Sequence, residues 1–203
     1  MTRQKLFRGS AVALVTPFHN GRVDIPAINR LVDFQVENGT AAIVACGTTG
    51  EPATLTADER ELVVREVVRA TKGRVPVIAG TGSNATQNVI DTAVRYQDIG
   101  CAAQLVVTPY YNKTTQEGMY RHFMEISEHT RLPIIIYNVP SRTTLDISPE
   151  VLERLAVCET FIGLKESSYN VPYVMDKIRH ACGRLSLYSG NDDMVIPLMA
   201  LGA

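Results

Sequence analysis

The sequence has almost no excess charge: 20 lysines and arginines against 21 acidic residues leave a formal net charge of −1, with both signs mixed along the chain. That balance offers no electrostatic footprint for nucleic acid or for an anionic membrane. Paired cysteines are also missing. Cys46, Cys101, Cys158 and Cys182 are widely spaced with no C-x-x-C, which argues against a zinc site or a disulfide framework and suits small buried residues in a reducing cytosol. The histidines, His19, His122, His129 and His180, make no H-E-x-x-H pair and no triad with a candidate nucleophile, so metal and serine-hydrolase chemistry find little support. Nucleotide-binding loops are absent as well, since Gly80-Thr81-Gly82 is too short for a G-x-G-x-x-G and no Walker lysine loop occurs. Met1 to Arg8 carries charge without a following apolar segment, and Ala11 to Val15 is too short for a signal or a span, so a cytoplasmic, soluble protein is expected.

What the chain does contain is a regular alternation. Its hydrophobic fraction of 45% over 203 residues is enough for a sizeable core in a single domain, residues 1–203. Short apolar strands are expected at Ser10–Pro17, Ala41–Cys46, Val75–Gly80, Gln104–Pro109, Leu132–Tyr137, Phe161–Lys165 and Leu185–Ser189. Between them lie helical stretches with start signals. Pro26 and Pro149 suit first turns, Thr56-Ala57-Asp58-Glu59 has the form of a capping box, Asn84 to Gln87 can cap a third helix, and Thr114 with Glu117 a fourth. Strand ends recur at roughly the length of a βα unit. The pattern predicts an α/β fold with a parallel sheet, either a TIM-type (β/α) barrel or an open doubly wound sheet.

Polar residues gather where the strands end. In a parallel barrel that end carries the active site, and the residues found there include Thr16, Thr48, Thr49, Thr108, Tyr110, Tyr111, Tyr137, Asn138, Arg142, Lys165, Glu166, Gly190, Asn191 and Asp192. Lys165 stands out because it closes the apolar run Phe161-Ile162-Gly163-Leu164. A lysine leaving a strand covered on both faces is desolvated, and an amine held partly neutral can attack a carbonyl to form a Schiff base. The plainer alternative is a structural lysine, snorkelling or paired with Glu166. Tyr137 also ends a strand and could shuttle protons, or merely satisfy one hydrogen bond at the edge of the core. The glycines of Gly47-Thr48-Thr49-Gly50 would let backbone N–H groups approach a carboxylate, the alternative being an ordinary βα turn. Arg142 can bind a carboxylate bidentately, or else form a surface ion pair with Asp146.

Five motifs occur together and in order: Gly47-Thr48-Thr49-Gly50-Glu51, Thr108-Pro109-Tyr110-Tyr111-Asn112, Tyr137 through Thr143, Gly163-Leu164-Lys165-Glu166 and Ser189-Gly190-Asn191-Asp192. From about Phe7 to the last residue the sequence resembles the dihydrodipicolinate synthase family. The resemblance implies a (β/α)8 barrel that condenses pyruvate with aspartate semialdehyde in lysine and diaminopimelate biosynthesis, with no metal or organic cofactor. It implies catalytic roles for Lys165 as the Schiff-base lysine, Tyr137 as proton donor and acceptor, and Thr48 and Tyr111 as the relay, Tyr111 serving a neighbouring subunit. Thr49, Arg142 and Gly190 form the implied substrate-binding set, and a homotetramer is implied as the assembly. A sister aldolase acting on sialic acid or sugar acids and an inactive barrel fragment are the alternatives. Against the family pattern, Pro52, Ala57 and Asn88 replace polar or ionisable residues of an inhibitor pocket, so weak or absent inhibition by lysine is expected. The sequence ends at Met199 to Ala203, in or just after the seventh helix, so the fold is expected as a barrel truncated after about seven strands, with β-edges left unpaired.

Overall fold

The structure is a computed structural model that describes residues 5–181 and 183–203. The expectations for Cys182 and for Met1 to Gln4 lie outside the described residues.

The strands, in chain order, are β1 (Ala11–Ala13), β2 (Ala42–Ala45), β3 (Val77–Gly80), β4 (Ala103–Val107), β5 (Ile134–Asn138), β6 (Phe161–Glu166) and β7 (Ser186–Ser189). The helices between them are α1 (Ile25–Glu37), α2 (Ala57–Thr71), α3 (Thr86–Ile99), α4 (Gln116–His129), α5 (Pro149–Ala156), α6 (Val171–Ala181) and α7 (Val195–Ala200). The contacts group into two compact units, one of Leu6–Thr81 with Thr92–Leu105, the other containing Gly82–Asp91 and Val106–Ala203.

In the first unit β1 pairs with β2, β2 with β3 and β3 with β4, all in parallel. The strand β2 is buried at every residue, which explains its unbroken apolar run: both faces are covered. Ile28 and Val32 of α1 and Val63, Val64 and Val67 of α2 are buried on helix faces that pack together. The start signals act as the chemistry predicts. The Asp24 carboxylate accepts the Ala27 N–H at 2.9 Å ahead of Pro26. Thr56 Oγ1 accepts the Glu59 N–H at 3.2 Å, while Glu59 Oε2 accepts the Thr56 N–H at 2.8 Å. Those bonds favour the ionised Glu59 and hold its carboxyl below the ordinary value. Asn20 and Gly21, both at positive φ, join the two short strands of a hairpin, Phe18–His19 and Arg22–Val23.

The first strand is shorter than the expected Ser10–Pro17. Its ladder stops after the Leu14 N–H reaches Val44 O, and Pro17, which has no N–H to offer, accepts instead from Asp24 as the chain turns into the hairpin.

In the second unit β5 pairs with β6 and β6 with β7, again in parallel. Its core joins Met119, Phe123 and Ile126 of α4, Leu152 and Leu155 of α5, and Ile134, Ile136, Phe161 and Leu164 of the strands. The rings of Phe123 and Phe161 meet edge to face at 6.2 Å. The cap of α4 is Thr115 rather than Thr114, its hydroxyl accepting from Gly118 at 3.0 Å. The helix begins at Gln116, and a cap must stand one residue before that start. Ser148 caps α5 ahead of Pro149, as expected. Cys46 and Cys101 are buried, but Cys158 is half-buried at the end of α5.

Candidate active site

The strands β5 and β6 carry the chemistry, and a single irregularity sets how they align. Ile134 faces Phe161, but Ile135 faces Gly163. Ile162 is therefore an extra residue in β6, a bulge. Beyond it Tyr137 lies opposite Lys165, and Asn138 opposite Glu166. Without the bulge Asn138 would face Lys165, because side chains alternate between the two faces of a strand.

On one face, Lys165 Nζ sits 4.4 Å from the centre of the Tyr137 ring. Among the described residues Lys165 has no ion pair. Burial pushes its amine below the ordinary lysine value, and the Asp192 carboxylate opposes that shift. Gly190 gives the amine its room. A Cβ there would stand 3.0 Å from Lys165 Cε and 2.0 Å from Ser167 Oγ. The Gly190 N–H donates to Glu166 O at 2.8 Å and Asn191 Nδ2 to Ser167 O at 3.1 Å, tying the end of β7 to that of β6. The Ser167 N–H in turn donates to Asn138 O, and the Thr108 N–H to Tyr137 O. The hydroxyls of Thr108 and Ser167 are buried without partners among the described residues.

The opposite face carries a dense polar cluster. Asn138 and Glu166, counted with the candidate residues from their place at strand ends, point here instead. Asn138 Nδ2 donates at 2.8 Å to both Asp146 Oδ1 and Glu166 Oε1, and its side-chain Oδ1 accepts from the Ile147 N–H at 3.1 Å. Lys177 of α6, fully buried, donates to Glu166 Oε2 at 2.9 Å and to Asp146. Glu166 thus pairs with Lys177 and not with Lys165. Asp146 is likewise engaged by Lys177 and Asn138, so the ion pair considered for Arg142 does not form. Sequence reasoning passed over Lys177, although a signal existed: it lies three residues after Val174 and four before Ala181, on the buried face of α6.

The remaining candidates also stand at carboxyl ends of strands. Arg142 is exposed on the short helical turn Pro140–Thr143 after β5, its N–H donating to Val139 O. Tyr111, after β4, is 88% exposed and held at φ 73°, a left-handed conformation costly for an aromatic residue. In the first unit, Thr48 and Thr49 are exposed on the 3-10 turn that follows β2, where Thr16 Oγ1 donates to Gly50 O at 2.7 Å. No helix among the described residues is long and apolar enough to cross a membrane.

Residues 6–203 match the dihydrodipicolinate synthetase family. The chain belongs to that family. It is 46% identical over 197 residues to the 4-hydroxy-tetrahydrodipicolinate synthase of Alkaliphilus oremlandii, covering 97% of this chain and 68% of the relative. The enzyme of the same name from Aquifex aeolicus is 45% identical, with 98% of this chain and 68% of the relative covered. The crystal structure of dihydrodipicolinate synthase from Aquifex aeolicus superposes with a TM-score of 0.94 over 97% of this chain and 68% of its own. The chloride-inhibited dihydrodipicolinate synthase from Acinetobacter baumannii, complexed with pyruvate, is 44% identical with a TM-score of 0.93, over 96% of this chain and 67% of its own. The fold class is therefore the family's α/β TIM barrel, and this chain spans about 68% of those relatives. Family membership makes it a lyase homologue of the lysine-biosynthesis enzymes.

Proposed function

We propose that this chain carries the pyruvate half-site of a 4-hydroxy-tetrahydrodipicolinate synthase, with Lys165 as the nucleophile. The observation that supports this most is the state of Lys165: its amine is desolvated, has no carboxylate partner among the described residues, and lies against the ring of Tyr137. A neutral amine in that setting attacks the C2 carbonyl of pyruvate, the carbinolamine loses water, and a proton leaves C3 to give the enamine. The enamine carbon then bonds to the aldehyde carbon of aspartate semialdehyde, whose oxygen takes up a proton. Tyr137, whose ring centre lies 4.4 Å from the amine, is the proton carrier in this reading. Thr48 and Tyr111 complete the relay in this reading, with Tyr111 serving a neighbouring copy in a homotetramer. Thr49, Arg142 and Gly190 hold substrate: Arg142, exposed on its turn and free of Asp146, is open to a second carboxylate. Gly190 acts by leaving space beside Lys165 Cε.

Incubation with pyruvate and borohydride, followed by peptide mass analysis, tests the reading. One pyruvate-derived adduct on Lys165 is expected, and none in Lys165→Ala. A folded wild-type chain that gives no adduct would refute it.

A further inference from the structure

The polar cluster behind the site has no part in the chemistry just described, yet the residues around its buried lysine lie next to, or on the same loop as, residues that do. Asn138 follows Tyr137, Glu166 follows Lys165, and Asp146 closes the loop that carries Arg142. A single ammonium, Lys177 Nζ, donates to the carboxylates of both Glu166 and Asp146. Asn138 donates to the same two carboxylates, and Glu166 Oε1 also accepts the Ser168 N–H at 2.7 Å.

We infer that Lys177 is a positioning residue for the reactive pair: from the reverse side of the sheet it fixes the ends of β5 and β6, and with them the separation of Lys165 and Tyr137. The inference rests on the Schiff-base reading of Lys165. Its physical basis is that one cation, 0% exposed, binds Glu166 of β6 and Asp146 of the loop directly, and their carboxylates in turn hold Asn138 of β5. A buried ammonium cannot exchange its partners for water, so the segments are held wherever its acceptors stand. Neighbouring residues of a strand point to opposite faces. Fixing Asn138 and Glu166 on one face therefore fixes Tyr137 and Lys165 on the other. A core leucine or methionine in place of Lys177 would fill the volume but leave both carboxylates without the bond that aligns them.

Lys177→Met tests this against a purely structural role, with folding checked by near-UV circular dichroism and thermal melting. In the folded variant the maximal rate of borohydride-trapped adduct formation is expected to fall about tenfold or more, while the half-saturating pyruvate concentration changes less than about threefold. The split arises because the amine is displaced while the carboxylate contacts are not. Should Lys177→Met fail to fold, the volume-matched double variant Glu166→Gln/Lys177→Met, which leaves no buried charge in the pair, takes its place; should that fail, Asp146→Asn at the half-exposed edge of the cluster does. An unchanged maximal rate in whichever folded variant stands last overturns the inference.

Competitive acetylation of Lys165 by acetic anhydride, read by peptide mass, gives a second measure that needs no pyruvate. A wild-type chain that acetylates at Lys165 but traps no pyruvate sinks the Schiff-base reading alone. The ratio of variant to wild-type acetylation still decides the role of Lys177: altered supports it, and equal overturns it.

Discussion

Two lysines of the second unit, Lys165 and Lys177, are both withdrawn from water on opposite faces of the same strand pair, and they are treated in opposite ways. Lys177 receives two carboxylates, and Lys165 none among the described residues. A buried charge is tolerable only when it is paired, so the first is held as a fixed cation. Desolvation of the second, which Asp192 only partly offsets, lowers its basicity. The difference shows how one sheet separates rigidity from reactivity. The face packed by helices spends its acceptors on alignment, and the other leaves an amine beside an aromatic ring, with the Ser167 hydroxyl unpartnered among the described residues.

Removing the acceptor on the structural face should have the largest effect. Glu166→Ala leaves a fully buried ammonium without its fully buried carboxylate partner and should cost about 3–5 kcal/mol in urea unfolding. A loss below about 1 kcal/mol would mean that the pair behaves like a surface contact, and the contrast between the lysines would collapse.

Crowding the reactive face comes next. In Gly190→Ala the added methyl meets Lys165 Cε and Ser167 Oγ. Adduct formation should slow about tenfold or more, with a stability loss of about 1–3 kcal/mol. An unaltered trapping rate would show that the amine does not need that space.

The third test adds a buried base shifted by desolvation alone among the described residues. His122 is desolvated to a value of about 4, with Nδ1 at 2.9 Å from Thr86 Oγ1 and Nε2 without a partner among the described residues. Its folded value lies below its unfolded one, so the stability it contributes is complete above about pH 6.5 and is lost as the pH falls toward 4, at most about 3 kcal/mol. Denaturant melts at pH 7 and pH 4.5 should differ less in His122→Gln than in the wild type. Equal differences would mean that His122 takes up its proton without resisting burial.

Much of this was legible in the residues. The strand and helix alternation, the capping box at Thr56 and the prolines opening α1 and α5 depend on local chemistry, and they appear where the pattern placed them. The candidate lysine was also readable, because an apolar run ending in Lys165 implies a desolvated amine whatever the partners are. The cap at Thr114 was off by one residue, since adjacent threonines offer the same hydroxyl and only the helix start chooses between them. Lys177 was missed because a lysine in a helix reads as solvated until the helix is docked on the sheet.

The motif at Lys165 began as a local feature, and the amino-acid order alone determined that this amine would sit at a strand end with tyrosine, threonine and arginine at comparable ends. Only the tertiary structure decided which of those residues meet it. The bulge at Ile162 shifts β6 by one residue, so that Tyr137 and not Asn138 faces Lys165, and Glu166 turns away toward Lys177. That outcome depends on how two strands are registered against each other, a property of hydrogen bonding between distant segments that no local pattern in either strand encodes.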